Sequence, residues 1–276
     1  MIDKNLADAL KRDGTLIQHL NDNLKDNEDV VLLSIKKPRI SDPNYIKSTS
    51  PAAESILHAS DRFRSDKNLA LKILAINGLV LEFLSAELKD DKEVVLVALA
   101  ENGKALSHAS DRLKDDTETV LVALAENGKA LADASDRLKD DKNTVLVALT
   151  KGDMCLEHAS DRLKDDEDVV LASFSLKYAG DPLKYASERL RDNEKIVSKA
   201  LEKNGYMLEF ASERLRDDKS IVEIALTQNP NVGDFASQRV KDIIEEESKN
   251  SISSLVGSIR NRFFSPKKEN IKKPVI

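Results

Sequence analysis

The sequence predicts an all-α fold, an α-solenoid of about nine two-helix repeats with a 25-residue period. Three observations predict it: a charged octapeptide that recurs unchanged, a glycine column with the same period, and apolar columns at helical spacing. "ASDRLKDD" stands at Ala109–Asp116, Ala134–Asp141 and Ala159–Asp166. The first Asp of each "KDD" or "RDN" serves as an anchor, giving Asp26, Ser65 in its place, Asp90, Asp115, Asp140, Asp165, Asp192, Asp217 and Asp242. The spacing is 25 except for 39 before Ser65 and 27 before Asp192. The longer interval holds an insertion, roughly Lys37–Ser50, whose Pro38 and Pro43 read as loop; the other adds two residues near Gly180.

Each copy reads as two short helices. The first, in "DKEVVLVALAENG" (Asp91–Gly103), is expected to take its N-cap from Asp90 or Asp91 and to close on Gly103 in the left-handed conformation. Gly14, Gly78, Gly103, Gly128, Gly180 and Gly205 share that column. Val95, Ala98 and Leu99 and their copies are spaced i, i+3, i+4, so they form one buried face. The second helix, "KALSHASDRL" (Lys104–Leu113), repeats Leu106, Ala109 and Leu113 at i, i+3, i+7. A two-helix unit cannot cover its own apolar faces, so stacking on the next copy must bury them. The chain starts in register, with Leu6, Ala9, Leu10 and Gly14 matching Val95, Ala98, Leu99 and Gly103. Beyond Asp242 the apolar columns become Glu247, Asn250 and Ser251. Residues 3–244 are therefore the expected solenoid, and 245–276 a basic, non-repeat segment, partly helical or disordered.

Composition bounds the function. The chain of 276 residues is 41% hydrophobic and 33% charged, has one cysteine, and contains no apolar run long enough to cross a membrane or act as a signal peptide. A reducing, cytoplasmic setting is expected. The net charge is −6, yet Ile259–Ile276 carries six Lys/Arg against Glu269. The acidic remainder argues against a nucleic-acid partner.

The pattern "LxxASDRLKDDxxxVLxALxxNGxA" resembles the bacterial repeat known as domain-of-unknown-function 4116, over roughly Leu6 to Asp242. This chain departs from it at the insertion, at "KGD" (Lys151–Asp153) in place of "ENG", and at Glu87 where Arg is expected. The resemblance implies an intracellular bacterium of amoebae or other protists as the source, and an effector delivered into the host. It supplies no catalytic residues to carry over.

Candidate chemistry is weighed on the same columns. His19, His58, His108 and His158 share one column with Phe83, Asp133, Tyr185, Phe210 and Phe235. Helices packed about 8–10 Å apart cannot bring such residues around one zinc ion, so no metal site is expected. Four residues after the ring stands an Arg, in the pairs His58/Arg62, His108/Arg112, His158/Arg162, Tyr185/Arg189, Phe210/Arg214 and Phe235/Arg239, with Arg137 following Asp133. The i, i+4 spacing suits cation–π contact. Two readings stay open: each Arg pairs with a nearby carboxylate such as Asp115 or one of the adjoining repeat, or the ladder is a recognition face rich in hot-spot residue types. The recurring Asp pairs read as helix caps and not as a catalytic dyad, Ser110, Ser135 and Ser160 lack a uniquely placed base, and Cys155 occupies a small packed column. No catalytic residues and no cofactor are expected.

In the tail, Ile252, Leu255, Val256, Ile259 and Phe263 share a helical face, followed by Arg260, Arg262, Lys267 and Lys268. A cap on the last repeat, a peripheral membrane or partner anchor, and an export signal all fit. The expected function is a non-enzymatic, monomeric protein-binding scaffold with a host protein as partner. The alternative is an electrostatic module that binds a phosphoprotein or acidic lipid through the Arg ladder and the tail.

Overall fold

The computed structural model describes residues 2–36, 51–151, 155–174 and 181–250. The 37–50 insertion, most of "KGD", the spacer near Gly180 and the tail residues Arg260, Arg262, Lys267 and Lys268 lie outside them. Among the described residues every regular element is helical. The chain forms two compact units, residues 1–190 and 191–276. Both are all-α solenoid stacks of the 25-residue copy.

Within a copy the structure has three pieces where the sequence pattern suggests two. In the first unit a long helix, Lys92–Glu101, is followed by a 3-10 helix, Gly103–His108, and a single α-turn, Asp111–Lys114. The next copy repeats this as Thr117–Glu126, Gly128–Asp133 and Asp136–Lys139. The second unit does the same with Glu194–Lys203, Gly205–Phe210 and Glu213–Arg216, then Lys219–Gln228 and Pro230–Phe235. The expected continuous helix over Lys104–Leu113 is thus broken. Its break falls at Ala109 and Ser110, both extended, with ψ of 159° and 157°. Serine competes with the helix because its hydroxyl can bond nearby backbone. Here the Ser110 oxygen accepts from the Leu113 N–H at 3.3 Å and caps the short turn. Its own N–H, freed from any helical bond, donates to Lys89 O of the preceding copy at 3.0 Å.

Within each unit successive long helices pack side by side, and so do successive 3-10 helices, with the core between the two layers. Val95, Ala98, Leu99, Leu106 and Leu113 are fully buried, as are their copies Val120, Ala123, Leu124 and Leu131. Burial of each such leucine contributes roughly 1.5–3 kcal/mol. The small Ala column sets the approach distance, since a larger residue there would force the layers apart.

The glycine column needs a different explanation from the expected left-handed cap. The long helix ends on Asn102, which is extended (φ −155°, ψ 106°) and accepts from the Lys104 N–H. Gly103 opens the 3-10 helix with an ordinary φ. Space is what excludes a side chain: a Cβ on Gly103 would stand 2.4 Å from Ala123 O of the next copy. In the last copy the column holds Pro230, which is exposed.

The end of the array differs from the other copies. Helix runs unbroken from 238 to 250, the last described residue. Elsewhere the residue after the anchor is Asp or Asn, whose side chain caps the long helix and separates it from the short turn; Asp91, Asp116, Asn193 and Asp218 do so. At this place stands Ile243, which has no acceptor, so the turn and the long helix fuse.

Candidate functional site

The two aspartates of each pair do different work. The second caps its own long helix, as Asp116 does by accepting from the Thr119 N–H at 2.9 Å and the Thr119 hydroxyl at 2.7 Å. The first, the anchor, reaches across the seam between copies. Asp90 accepts from the Ser110 hydroxyl and from Arg112 Nε at 3.0 Å, while Arg112 Nη2 donates to the Asp90 carbonyl. With the Ser110 N–H on Lys89 O, one Ser-x-Arg triplet closes four bonds onto the preceding copy. The same clasp joins Asp115 to Ser135 and Arg137, Asp140 to Ser160 and Arg162, and Asp165 to Ser187 and Arg189. It recurs at the chain start as Asp26 with Ser60 and Arg62. In the second unit it joins Asp192 to Ser212 and Arg214, and Asp217 to Ser237 and Arg239.

A second ladder, on the long-helix side, has no counterpart in the sequence reading. Lys92 pairs with Asp116 at 2.9 Å and Glu118 at 2.8 Å of the following copy. Lys67 meets Asp91 and Glu93 in the same way, and Lys142 meets Asp166 and Asp168. Arginine therefore reaches back one copy while lysine reaches forward one. The recurrence of Lys two residues after the anchor at Lys67, Lys92, Lys142 and Lys219 is the signal that could have revealed it.

Hydrogen bonding to the ionised carboxylate holds the anchors below the ordinary 3.8: for Asp90, Asp140, Asp165 and Asp192 the Ser hydroxyl is the larger cause and the Arg the next. Asp116 is lowered to about 2, chiefly by the Thr119 hydroxyl and then by Lys92. A carboxyl with a depressed folded pKa stabilises the fold fully above its unfolded pKa, and that contribution is lost as pH falls through the folded value. Melting temperature should therefore hold level down to about pH 4 with respect to these groups, then fall between about pH 4 and pH 2. Circular dichroism melts across that range check it; a decline centred above about pH 5 would assign acid sensitivity to other groups.

The clasp shows what the Arg column bonds within the stack. Arg62, Arg112, Arg137, Arg162, Arg189, Arg214 and Arg239 each bind the anchor of the adjoining repeat. Arg112 does not turn to Asp115. The expected stacking of ring and guanidinium four residues apart is not formed: among the described residues, the cation–π contacts are Arg62 over Phe63 at 4.7 Å and Lys184 over Tyr185 at 5.5 Å, both between sequence neighbours. The reason is geometric. The broken helix puts the ring at the end of the 3-10 segment and the Arg on a separate turn whose direction the anchor sets.

The rings thus form a row of their own along the 3-10 layer. His19 and His58 are exposed, and Phe83, His108, His158 and Tyr185 are half-buried in the first unit, with Asp133 among them. Phe210 and Phe235 occupy the column in the second unit, where Tyr206 meets Phe235 edge to face at 6.3 Å. Burial pushes the His108 pKa down, outweighing Glu82, whose carboxylate lies 3.8 Å from its Nε2. Cys155 is buried in the small column. Among the described residues no three His, Cys, Asp or Glu lie close enough together to hold a metal ion, and no helix is long and apolar enough to cross a membrane.

A family model described as a domain of unknown function, DUF4116, matches six times in tandem, at residues 44–89, 91–139, 116–164, 141–191, 166–214 and 193–241. The chain belongs to the DUF4116 family. From the second match onward, each DUF4116 window starts on the residue that caps a long helix and spans two of the 25-residue copies. The physical sense of that unit is the clasp: the window 91–139 encloses Asp115 together with Ser135 and Arg137, and 193–241 encloses Asp217 with Ser237 and Arg239. No curated protein and no solved structure is detectably similar to the chain.

Proposed function

We propose that this DUF4116 protein is a non-enzymatic protein-binding scaffold, acting as a bacterial effector in a host cell, and that the row of 3-10 ends is its recognition face. The observation that carries this reading is a division of labour among the columns. Leu, Ala, Ser, Asp and Arg recur in most copies and are engaged in core, caps and clasps. The solvent-facing residues of the 3-10 layer keep their place but change chemistry: Leu57, Glu82, Ser107, Ala132 and Glu157 stand beside His58, Phe83, His108, Asp133 and His158. A face regular in spacing and individual in chemistry suits one particular partner, and its rings are of the type enriched at binding hot spots. The Arg column flanks this face, each side chain being more than half exposed except Arg62, but its guanidinium already donates to a carboxylate. That engagement weighs against the alternative of an anion-binding module.

Two variants of the full chain test the reading on a partner captured from host lysate. Changing His108, His158 and Tyr185 together to Ser should leave the melt nearly unchanged and weaken binding at least about tenfold, 1.4 kcal/mol. Changing Arg112, Arg137 and Arg162 to Gln should instead lower the melting temperature by removing three clasps. Binding untouched by the ring variant would sink the proposal. Affinity that collapses with rising salt would favour the anionic target.

A further inference from the structure

We infer that the seam between the copy anchored at Ser65 and the copy carrying Glu87 is a hinge built into the fold. The two departures from the repeat, Ser for the anchor Asp and Glu for the clasp Arg, are far apart in sequence, yet they are the two halves of one missing clasp. Arg112 bonds the residue 22 positions before it, Asp90; Glu87 stands at the same distance from Ser65. Both replacements turn inward. The Ser65 hydroxyl donates to Asp61 O of its own copy at 3.2 Å. Glu87 is held below its ordinary pKa by backbone N–H bonding at its own turn and then by the Ser85 hydroxyl, the group that elsewhere donates to the anchor.

The rest of the seam is intact, and its placement makes the opening directional. On the long-helix side, Lys67 bonds Asp91 and Glu93, each at 2.8 Å, and the Gly78 N–H donates to Glu101 Oε2 at 2.6 Å. On the short-turn side, the backbone bond from the Ser85 N–H to Arg64 O, 2.8 Å, remains. At seven other seams that backbone bond is flanked by a Ser hydroxyl and a two-pronged Arg on the anchor. One edge of this seam is pinned by ion pairs, while among the described residues the clasp on the other edge is reduced to the Ser85 backbone bond. Local opening follows the distribution of such contacts, and in a stack each seam contributes separately. The copies on either side therefore swing about the long-helix layer, changing the angle of the 3-10 row between His58 and Phe83 without unfolding either copy. This does not depend on what the row binds.

Amide hydrogen exchange on the wild-type chain reads the hinge directly, because the Ser85, Ser110, Ser135 and Ser160 N–H groups make the same backbone bond. Ser85 should exchange at least tenfold faster than the other three. Equal rates would overturn the inference. Rebuilding the clasp with Ser65→Asp and Glu87→Arg together should slow Ser85 to the rate of Ser110, and by more than the two single changes combined, since neither alone supplies an ion pair. A double variant that folds with Ser85 as fast as before would also overturn it.

Discussion

Gly78→Ala should destabilise the fold by about 3 kcal/mol, more than a small change of side chain ordinarily does. The added Cβ would lie 2.2 Å from Ala98 O and 3.1 Å from Ala98 C, both backbone atoms of the long helix in the next copy. A flexible side chain could turn aside; a carbonyl inside a helix cannot. The loss of unfolded-state freedom on going from Gly to Ala favours folding by only about 0.4–1 kcal/mol, so the steric cost wins. Gly233→Ala is the control, since its Cβ would meet Leu226 Cδ2 at an ordinary 3.8 Å. Urea unfolding of the pair checks the expectation: a large shift for the first and almost none for the second. Equal midpoints would mean the copies pack less closely at this column than the structure places them.

Leu106→Ala should cost about 2–5 kcal/mol, the range for a leucine whose removal leaves a cavity that its surroundings cannot fill. Leu106 is fully buried on the 3-10 helix, facing a long-helix layer whose spacing is set by fully buried Ala98 and Ala123. Those helices cannot move inward without Ala98 and Ala123 meeting other backbone, so collapse is restricted. Leu57→Ala, at a position 47% exposed on the same layer, should stay within about 0.5 kcal/mol. Differential calorimetry on both variants makes the comparison, and similar losses would show that the 3-10 layer is not a core layer.

The period and the buried columns are legible in the sequence because a stack makes the same demand at every copy, so one residue type recurs wherever the demand is apolar. The break within the second helix is not legible from that pattern. Leu106, Ala109 and Leu113 at i, i+3, i+7 fit one continuous helix, and they fit equally a 3-10 helix, two extended residues and a short turn. The informative residue was Ser110, an N-cap type three places before a buried leucine. Its repetition draws attention to nucleophilic chemistry instead. The Arg column is visible, but not its partner, because an i, i+4 ring and an anchor 22 residues back compete for the same guanidinium and only the course of the chain decides between them. Ser65 and Glu87 held the missing clue, as two exceptions that occur once each and at the clasp's own separation.

The clasp is asymmetric: apart from the seam of Ser65 and Glu87, a copy carries the Ser-x-Arg donors for its predecessor and the Asp acceptor for its successor. Any donor therefore fits any acceptor, whichever two copies are made neighbours. With residues 116–140 removed, Asp115 would meet Ser160 and Arg162 as Asp140 does now. Among the copies that carry both halves, a gene for such a protein can gain or lose stretches of 25 codons by unequal crossing-over, with the crossover at any point in the copy, and the product still closes the joint it makes. Other lengths are taken up only in the connections between copies: Asp26 still meets Ser60 and Arg62 across the Lys37–Ser50 insertion, and Asp165 still meets Ser187 and Arg189 across two extra residues, so the joint is inherited whole while the link beside it can lengthen.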